Sequence, residues 1–171
     1  VTPKSIRLRK RILDTSLRKY ITLTKPPFEA VPMTQLANYA SLKKKMSDDE
    51  FRQAYDAALK IITPLAEMSK QDQLRGVYAA LRYMAEHELS YSTDVPHYND
   101  PYGYFVNKVA SCAGSARATG LCLNMLGIPY EHVNENKWSH QWCRVDMGDG
   151  TYWVCDPYGS AEPYVYGHPY F

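Results

Sequence analysis

The chain has 171 residues, of which 45% are hydrophobic and 22% charged, and its net charge is only +2. No apolar run approaches the roughly 18–20 residues that a membrane-spanning helix needs, so we expect no transmembrane segment. The length suits one domain with one core. We expect residues 1–171 to form that domain, with a helical N-terminal region over 1–70 and the core over 71–171.

Positive charge is concentrated in the first twenty residues, which carry seven Lys or Arg against one Asp; this net +6 leaves −4 for the rest. Apolar residues recur there at irregular helical spacing, and the segment predicts a basic helix. No aromatic residue interleaves with the charges, so we expect a solvated helix face and no nucleic-acid partner. An adaptor whose basic helix binds a partner is the alternative. Because the chain starts at Val1, we expect a fragment of a longer precursor, extracellular or at the cell surface.

Two helices are predicted after a proline-rich stretch over 24–32. Ser47-Asp48-Asp49-Glu50 is a capping-box sequence. Apolar residues at helical spacing follow to Ile62, and Pro64 should kink or end that helix. A second, weaker start signal at Ser69 precedes a helical pattern that runs to about Leu89.

Beyond that point the pattern changes from loop to helix to strands. Residues 91–103 are rich in Pro, Asn, Asp, Ser and Tyr, and predict a loop. Helix formers dominate 110–126, and Gly127 follows where a glycine commonly ends a helix. A short strand over 130–133 and two strands over 141–147 and 151–156 complete the pattern, the latter two flanking a Gly-Asp-Gly turn. Helices followed by antiparallel strands predict an α+β fold.

Cys112 stands where the loop gives way to the helix, in the sequence Ser-Cys-Ala-Gly-Ser-Ala. A cysteine at a helix N-terminus meets free backbone N–H groups and the positive end of the helix dipole. Both favour the thiolate, which is the nucleophilic form. The small residues that follow leave room for a substrate or a neighbouring backbone.

A base and its orienting acid are predicted on the hairpin. His140 opens the first hairpin strand and Asp156 closes the second. If the strands pair through the turn at 148–150, an even-sum register brings His140 opposite or diagonal to Asp156, on one face. A thiol nucleophile needs such a base, and the base needs an orienting carboxylate. The sequence therefore predicts a catalytic triad of Cys112, His140 and Asp156.

In order and spacing, these motifs resemble the core of the transglutaminase-like superfamily. The resemblance covers roughly residues 75–158 and rests on the Cys112 helix start, the Leu-Gly-Ile helix end, His-Gln-Trp at 140–142 and Tyr-Trp-Val-Cys-Asp at 152–156. It implies a papain-like α+β fold, with the nucleophile's helix packed against an antiparallel sheet. The chain departs from the pattern at Cys143 and Cys155, and residues 1–70 have no counterpart that we can assign.

The resemblance also implies acyl transfer on amide bonds through a thioester acyl-enzyme, without metal or organic cofactor. We expect peptide or amide hydrolysis, as in a transglutaminase-like cysteine protease acting on a protein or peptide. The small size and the absence of a calcium-loop motif favour this over the alternative, a protein-crosslinking transglutaminase. A second alternative is a non-catalytic module that binds peptide or glycan.

The remaining site residues are hypotheses about the groove. The backbone N–H of Cys112 is one natural oxyanion donor, and Asn107 is the candidate for the second, with Tyr102 or Tyr104 in its place as alternatives. Four further residues are expected to bind substrate: Trp138, Ser139, Trp142 and Tyr158.

Two other cysteines bear on the hairpin register. A register summing to 298 would bring Cys143 and Cys155 face to face. We expect two reduced core thiols, with a cross-strand disulfide as the alternative. Cys122, ten residues into the nucleophile's helix, is expected in the core.

Overall fold

The computed structural model describes residues 28–159, and the predicted basic helix of residues 1–20 lies outside them. The described chain has an α+β fold with four α-helices and one three-stranded antiparallel sheet. The helices are α1 (Tyr39–Lys43), α2 (Asp48–Ile62), α3 (Lys70–His87) and α4 (Cys112–Met125), and the strands are β1 (Glu131–Val133), β2 (Trp142–Asp146) and β3 (Tyr152–Cys155). None of the helices within residues 28–159 combines the length and apolar character needed to cross a membrane.

The helix boundaries predicted from capping signals are confirmed. Ser47 caps α2 by accepting a hydrogen bond from the Glu50 N–H at 3.1 Å, while the Glu50 carboxylate accepts from the Ser47 N–H at 2.8 Å. The helix ends at Ile62, where a 3-10 turn over Thr63–Leu65 contains the predicted proline. Ser69 caps α3, which ends at His87, two residues before the predicted end.

Helix α4 forms the centre of the molecule. Every residue from Ala113 to Met125 is buried, so only the first residue, Cys112, is partly accessible. The other three helices, β1 and β2 all contact α4. A helix that is covered on every side is held in place by the whole core, which fixes the position of its N-terminus. At its other end Gly127 adopts the predicted left-handed conformation, with φ +76°.

The predicted hairpin and its register are confirmed. Strand β2 pairs with β3 so that Cys143 lies opposite Cys155 and Asp146 opposite Tyr152, which is the register summing to 298. Strand β1 adds to the other side of β2. Cys143 and Cys155 are both free thiols and fully buried. The Cys143 thiol donates instead to the backbone carbonyl of Ala116 on α4, at 3.1 Å.

Two local structures were not predicted. Residues 39–43 form the short helix α1, and the end of the predicted loop tightens into a π-helical turn over Gly103–Asn107. Lys108 then adopts a left-handed conformation, with φ 60°. Both structures depend on contacts with α4, which a local sequence pattern does not contain.

Candidate active site

The start of α4 is fixed by Ser111. Its hydroxyl accepts from the Ala113 N–H at 3.2 Å and donates to the carbonyl of Tyr98, also at 3.2 Å. The Ser111 N–H donates to that same carbonyl at 2.8 Å. The close approach of this loop requires Gly114, because a Cβ there would lie 2.5 Å from the Tyr98 carbonyl oxygen. The cap therefore makes Cys112 the first helical residue and ties the adjoining loop to it.

The hairpin brings His140 and Asp156 into contact, as the register predicts. His140 Nε2 lies 2.5 Å from Asp156 Oδ2, and the carboxyl group is buried. Asp156 Oδ1 accepts from the Tyr158 N–H at 3.3 Å, which orients the carboxylate. The His140 ring stacks on the buried Trp142 with 5.5 Å between ring centroids. The imidazole is thus held by a carboxylate at one nitrogen and by an indole across its face.

The Cys112 thiol lies within hydrogen-bonding contact of the His140 imidazole. Because Nε2 of the ring is bonded to Asp156, Nδ1 is the nitrogen left for the thiol. The backbone N–H of Gln141 also bonds to the sulfur, and the Ser139 carbonyl oxygen lies 4.0 Å from it. The three predicted triad residues therefore form one continuous line of hydrogen bonds.

The pKa values of the Cys112 thiol and the His140 imidazole are shifted in opposite directions. Burial raises the pKa of Cys112, but the hydrogen bonds from His140 and the Gln141 N–H outweigh burial, so the net shift is downward. The hydrogen bonds to Asp156 and to Cys112 raise the pKa of His140 to about 9. Opposite shifts of this kind favour a thiolate beside an imidazolium.

Cys112 and His140 line a groove of about 500 Å³, and Asp156 lies buried behind His140. One wall comes from the loop before α4 and includes Tyr91, Tyr98 and Asn99, and the other comes from the segment between β1 and β2 and includes residues 136–141. The lining residues include the basic side chains of Arg117 and Lys137 but no Asp or Glu.

Two side chains, the buried Arg117 and the partly buried His97, tie these walls to the rest of the fold. Arg117, on α4, donates to the carbonyl oxygens of Ser41 (2.9 Å) and Asn99 (3.1 Å) and to the side chains of Glu135 and Asn136 at 3.3 and 3.2 Å. On the loop side, His97 lies between two carboxylates, with Nε2 at 2.8 Å from Glu50 and Nδ1 at 2.7 Å from Asp100. The positions of both groove walls are therefore fixed by side-chain hydrogen bonds and ion pairs within the fold.

The predicted substrate-binding residues divide into two groups. Trp138 and Ser139 line the groove, and the Trp138 side chain is 90% exposed at its rim. Trp142 is buried beneath His140 and does not line the groove. Tyr158 also lies outside the lining; its hydroxyl donates to the Ala110 carbonyl at 3.1 Å. Trp142 and Tyr158 therefore pack beside the site on the interior side and do not line the groove.

Asn107, the candidate for the second oxyanion donor, lies outside the lining of the groove. Asn107 is exposed at the end of the π-helical turn, and Lys108 follows it in a left-handed conformation. Tyr104 is buried and donates to the Leu81 carbonyl, and Tyr102 packs against His97. None of these three residues lines the groove.

Two residues that reach the site were not predicted. The hydroxyl of Tyr91 hydrogen-bonds to the Cys112 thiol from the opposite wall. Gly159 passes so close to the triad that a Cβ there would clash with Asp156 Oδ2 and lie 2.5 Å from His140 Nε2. Tyr91 lies in a loop without periodicity, so no sequence pattern indicated its place in the site.

Comparison of the chain with known protein families finds no match, and comparison with curated proteins finds none either. Among residues 28–159, no three or more His, Cys, Asp or Glu side chains converge as metal ligands would. The chemistry of the site is therefore inferred from the geometry of its side chains.

Proposed function

We propose that this chain is a cysteine-dependent acyl-transfer enzyme that cleaves amide bonds through a thioester acyl-enzyme. The hydrogen-bonded line from Cys112 through His140 to Asp156, at the floor of an open groove, carries the proposal. A nucleophile bonded to a base that is in turn bonded to a buried acid is the arrangement that activates a thiol. The groove accommodates a protein or peptide substrate.

The mechanism follows from the positions of the protons. The Cys112 thiolate attacks the amide carbon, a C–S bond forms, and the carbonyl electron pair moves to oxygen. The imidazolium of His140 protonates the leaving amine as the C–N bond breaks, and the thioester remains. His140, now neutral, takes a proton from a water molecule whose oxygen attacks the thioester carbon. The C–S bond then breaks, which releases the carboxylic acid and restores the thiolate of Cys112 beside the imidazolium of His140. Asp156 holds the imidazole orientation throughout.

We also propose the finer structural class, a papain-like or transglutaminase-like core. Two features support it: the nucleophile begins a central helix, and an antiparallel hairpin packed on that helix carries the base and the acid. The motif resemblance over residues 75–158 has the same order. Hydrolysis is the form we favour, because the partly exposed thiol opens directly to solvent and water needs no second binding site.

Thiol labelling tests the proposal without knowledge of the substrate. Iodoacetamide should alkylate Cys112 near neutral pH much faster than a simple thiol such as glutathione, because the pKa of Cys112 is lowered. The rate constant is followed against pH by peptide mass spectrometry. Cys122, Cys143 and Cys155 are internal controls, since burial raises the pKa of each. Labelling of Cys112 no faster than glutathione would remove the basis of the proposal.

The pH dependence of turnover gives a second signature. Turnover should rise with pH as Cys112 ionises below its ordinary value, and fall as pH passes about 9, where His140 loses the proton it must donate. Alkylation needs only the thiolate and should not fall above that pH.

Incubation with a peptide library and with a labelled primary amine distinguishes hydrolysis from crosslinking. New peptide termini indicate hydrolysis, and amine incorporation indicates the crosslinking alternative.

A further inference from the structure

Tyr91 crosses the groove to reach the nucleophile. Its side chain is 63% exposed, and it lines the groove together with Cys112. Besides burial, which is the largest cause, the Cys112 thiol raises the pKa of the Tyr91 phenol and the Cys112 backbone N–H lowers it, as expected for a hydroxyl that lies beside both atoms. An exposed aromatic side chain that ends on both the sulfur and the helix-terminal N–H is not explained by core packing.

The backbone beside Tyr91 is fixed to the segment that leads into α4. The Ser90 N–H donates to the Lys108 carbonyl at 3.0 Å, and the Ala110 N–H donates to the Ser90 carbonyl at 3.1 Å. The ring of Tyr91 packs against that of Tyr158, with centroids 5.8 Å apart, and the Tyr158 hydroxyl is itself bonded to Ala110. The Tyr91 phenol is therefore held in position by a strand-like bridge between Ser90 and Val109, three residues before Cys112.

The phenol oxygen of Tyr91 lies beside the Cys112 N–H and the Cys112 sulfur. This is the region where a tetrahedral intermediate carries its oxygen. When the thiolate attacks, the C–S bond forms and the π pair of the carbonyl moves to that oxygen, which becomes negative. The oxygen stays close to the sulfur because both are bound to one carbon, and it needs N–H or O–H donors at that point.

On the basis of the function proposed above, we propose that Tyr91 is a catalytic residue that donates a hydrogen bond to this oxyanion, together with the Cys112 N–H. The substrate oxygen takes over the backbone N–H that the phenol oxygen accepts in the resting site. The phenol O–H, bonded to the sulfur at rest, turns to the oxygen as negative charge leaves the sulfur.

The hydrogen bond from the Tyr91 phenol is stronger in the transition state than at rest, which is the condition for accelerating acylation of Cys112. Burial raises the pKa of Tyr91, so the phenol keeps its proton over the working range and stays a donor. Tyr91 thus fills the role for which Asn107 was the sequence candidate.

Two probes separate an oxyanion donor from other roles of a tyrosine beside a thiol. p-Nitrophenyl acetate acylates the thiol through a tetrahedral intermediate and releases p-nitrophenolate, whereas iodoacetamide alkylates it by displacement of iodide without an oxyanion. In Tyr91→Phe, the acylation rate constant should fall by about 10²-fold. The alkylation rate constant, measured at a pH where Cys112 is fully ionised in both proteins, should not fall, because the hydrogen bond lost from the thiolate does not lower its nucleophilicity.

The ratio of the two rate constants is the decisive quantity, since both reactions require the folded site and the folded fraction cancels. Tyr83→Phe is the matched control, because Tyr83 is an exposed tyrosine on α3 that packs against His87, away from the groove. It should keep the wild-type ratio.

Three results would overturn the role of Tyr91 while leaving the proposed function intact. In the first two, the ratio of acylation to alkylation is unchanged in Tyr91→Phe, with both rate constants either lower than or equal to those of the wild type. In the third, both rate constants rise, which would show that the phenol shields the thiol. If the wild-type protein is alkylated at Cys112 no faster than glutathione and p-nitrophenyl acetate does not acylate it, the proposed function itself fails.

Discussion

Helix α4 carries two cysteines whose environments are opposite. At its first residue, the Cys112 thiol meets an imidazole and a backbone N–H, and its pKa is lowered. Ten residues on, Cys122 is fully buried, and burial raises its pKa to about 12. One helix therefore holds one thiol whose pKa is lowered and one whose pKa is raised. The difference comes from what surrounds each sulfur, and helix position decides the surroundings.

Two histidines of the sheet region make the same contrast. The carboxylate of Asp156 and the thiol of Cys112 raise the pKa of His140 to about 9. Burial and the positive charge of Arg117 lower the pKa of His132 to about 4, although its Nε2 lies 2.8 Å from the Gln141 side-chain oxygen. A carboxylate partner makes a histidine a proton donor near neutral pH, whereas an amide partner leaves a buried one neutral.

Replacing each thiol of α4 in turn should produce the largest difference. Cys112→Ala should reduce turnover by about 10⁴-fold or more, because the nucleophile is gone. Cys122→Ala should keep turnover and lose about 1 kcal/mol of stability through the cavity it leaves. Steady-state rates and thermal unfolding measure the two effects. Retained activity in Cys112→Ala would mean that the reaction does not use this thiol.

Removing the charge of the orienting acid should have the next largest effect. Asp156→Asn should lower turnover by about 10²- to 10⁴-fold, since an amide neither holds the imidazole tautomer nor stabilises its charge. The alkaline limb of the pH–rate profile, set by His140 at about 9, should move to lower pH. A fall in rate without this shift would indicate that Asp156 acts on the fold rather than on His140.

A smaller steric change should disturb the same pair. In Gly159→Ala, the new Cβ would press on Asp156 Oδ2 and His140 Nε2. Misplacing the base by about 1 Å should cost about 10²-fold in turnover. Gly148→Ala is the control for a glycine change, because no atom lies within 4 Å of its would-be Cβ, although its φ of +80° will cost some stability. Equal turnover in Gly159→Ala and wild type would show that the backbone at residue 159 shifts to accommodate the added methyl group.

The histidine contrast predicts an acid-sensitive stability. The folded pKa of His132, about 4, lies below its ordinary value of 6.5, so between these values the unfolded chain binds the extra proton. Stability should therefore fall as pH drops from 6.5 toward 4, by up to about 2 kcal/mol after allowance for partial exposure. Denaturant unfolding of His132→Gln should show a smaller decline. An identical decline in both proteins would assign the acid sensitivity to other groups.

The sequence predicted those features that depend on local chemistry. The Ser47 cap, the Gly127 helix end and the Gly-Asp-Gly hairpin each involve residues within a few positions of one another. The contact between His140 and Asp156 followed as well, because pairing through one turn fixes the register of both strands. Exposure of Trp138 and burial of Trp142 could not be distinguished, since neither periodicity nor composition separates two tryptophans four residues apart.

The features that were missed depend on loops meeting across the core. Tyr91 and Cys112 are brought together by a bridge between Ser90 and Val109, a pairing of two single residues that leaves no sequence pattern. Asn107 was an attractive candidate because an amide can donate. Its orientation is set by a π-helical turn and a left-handed lysine, which residue type alone does not predict.

The buried guanidinium of Arg117 has a consequence for how the groove opens. It bonds at once to Ser41 in α1, to Asn99 in the loop wall, and to Glu135 and Asn136 in the facing wall. Withdrawing either wall would strand part of a buried charge, which is costly. Both walls should therefore exchange their amide hydrogens in one cooperative event. The groove would then persist as long as that cooperative unit remains folded.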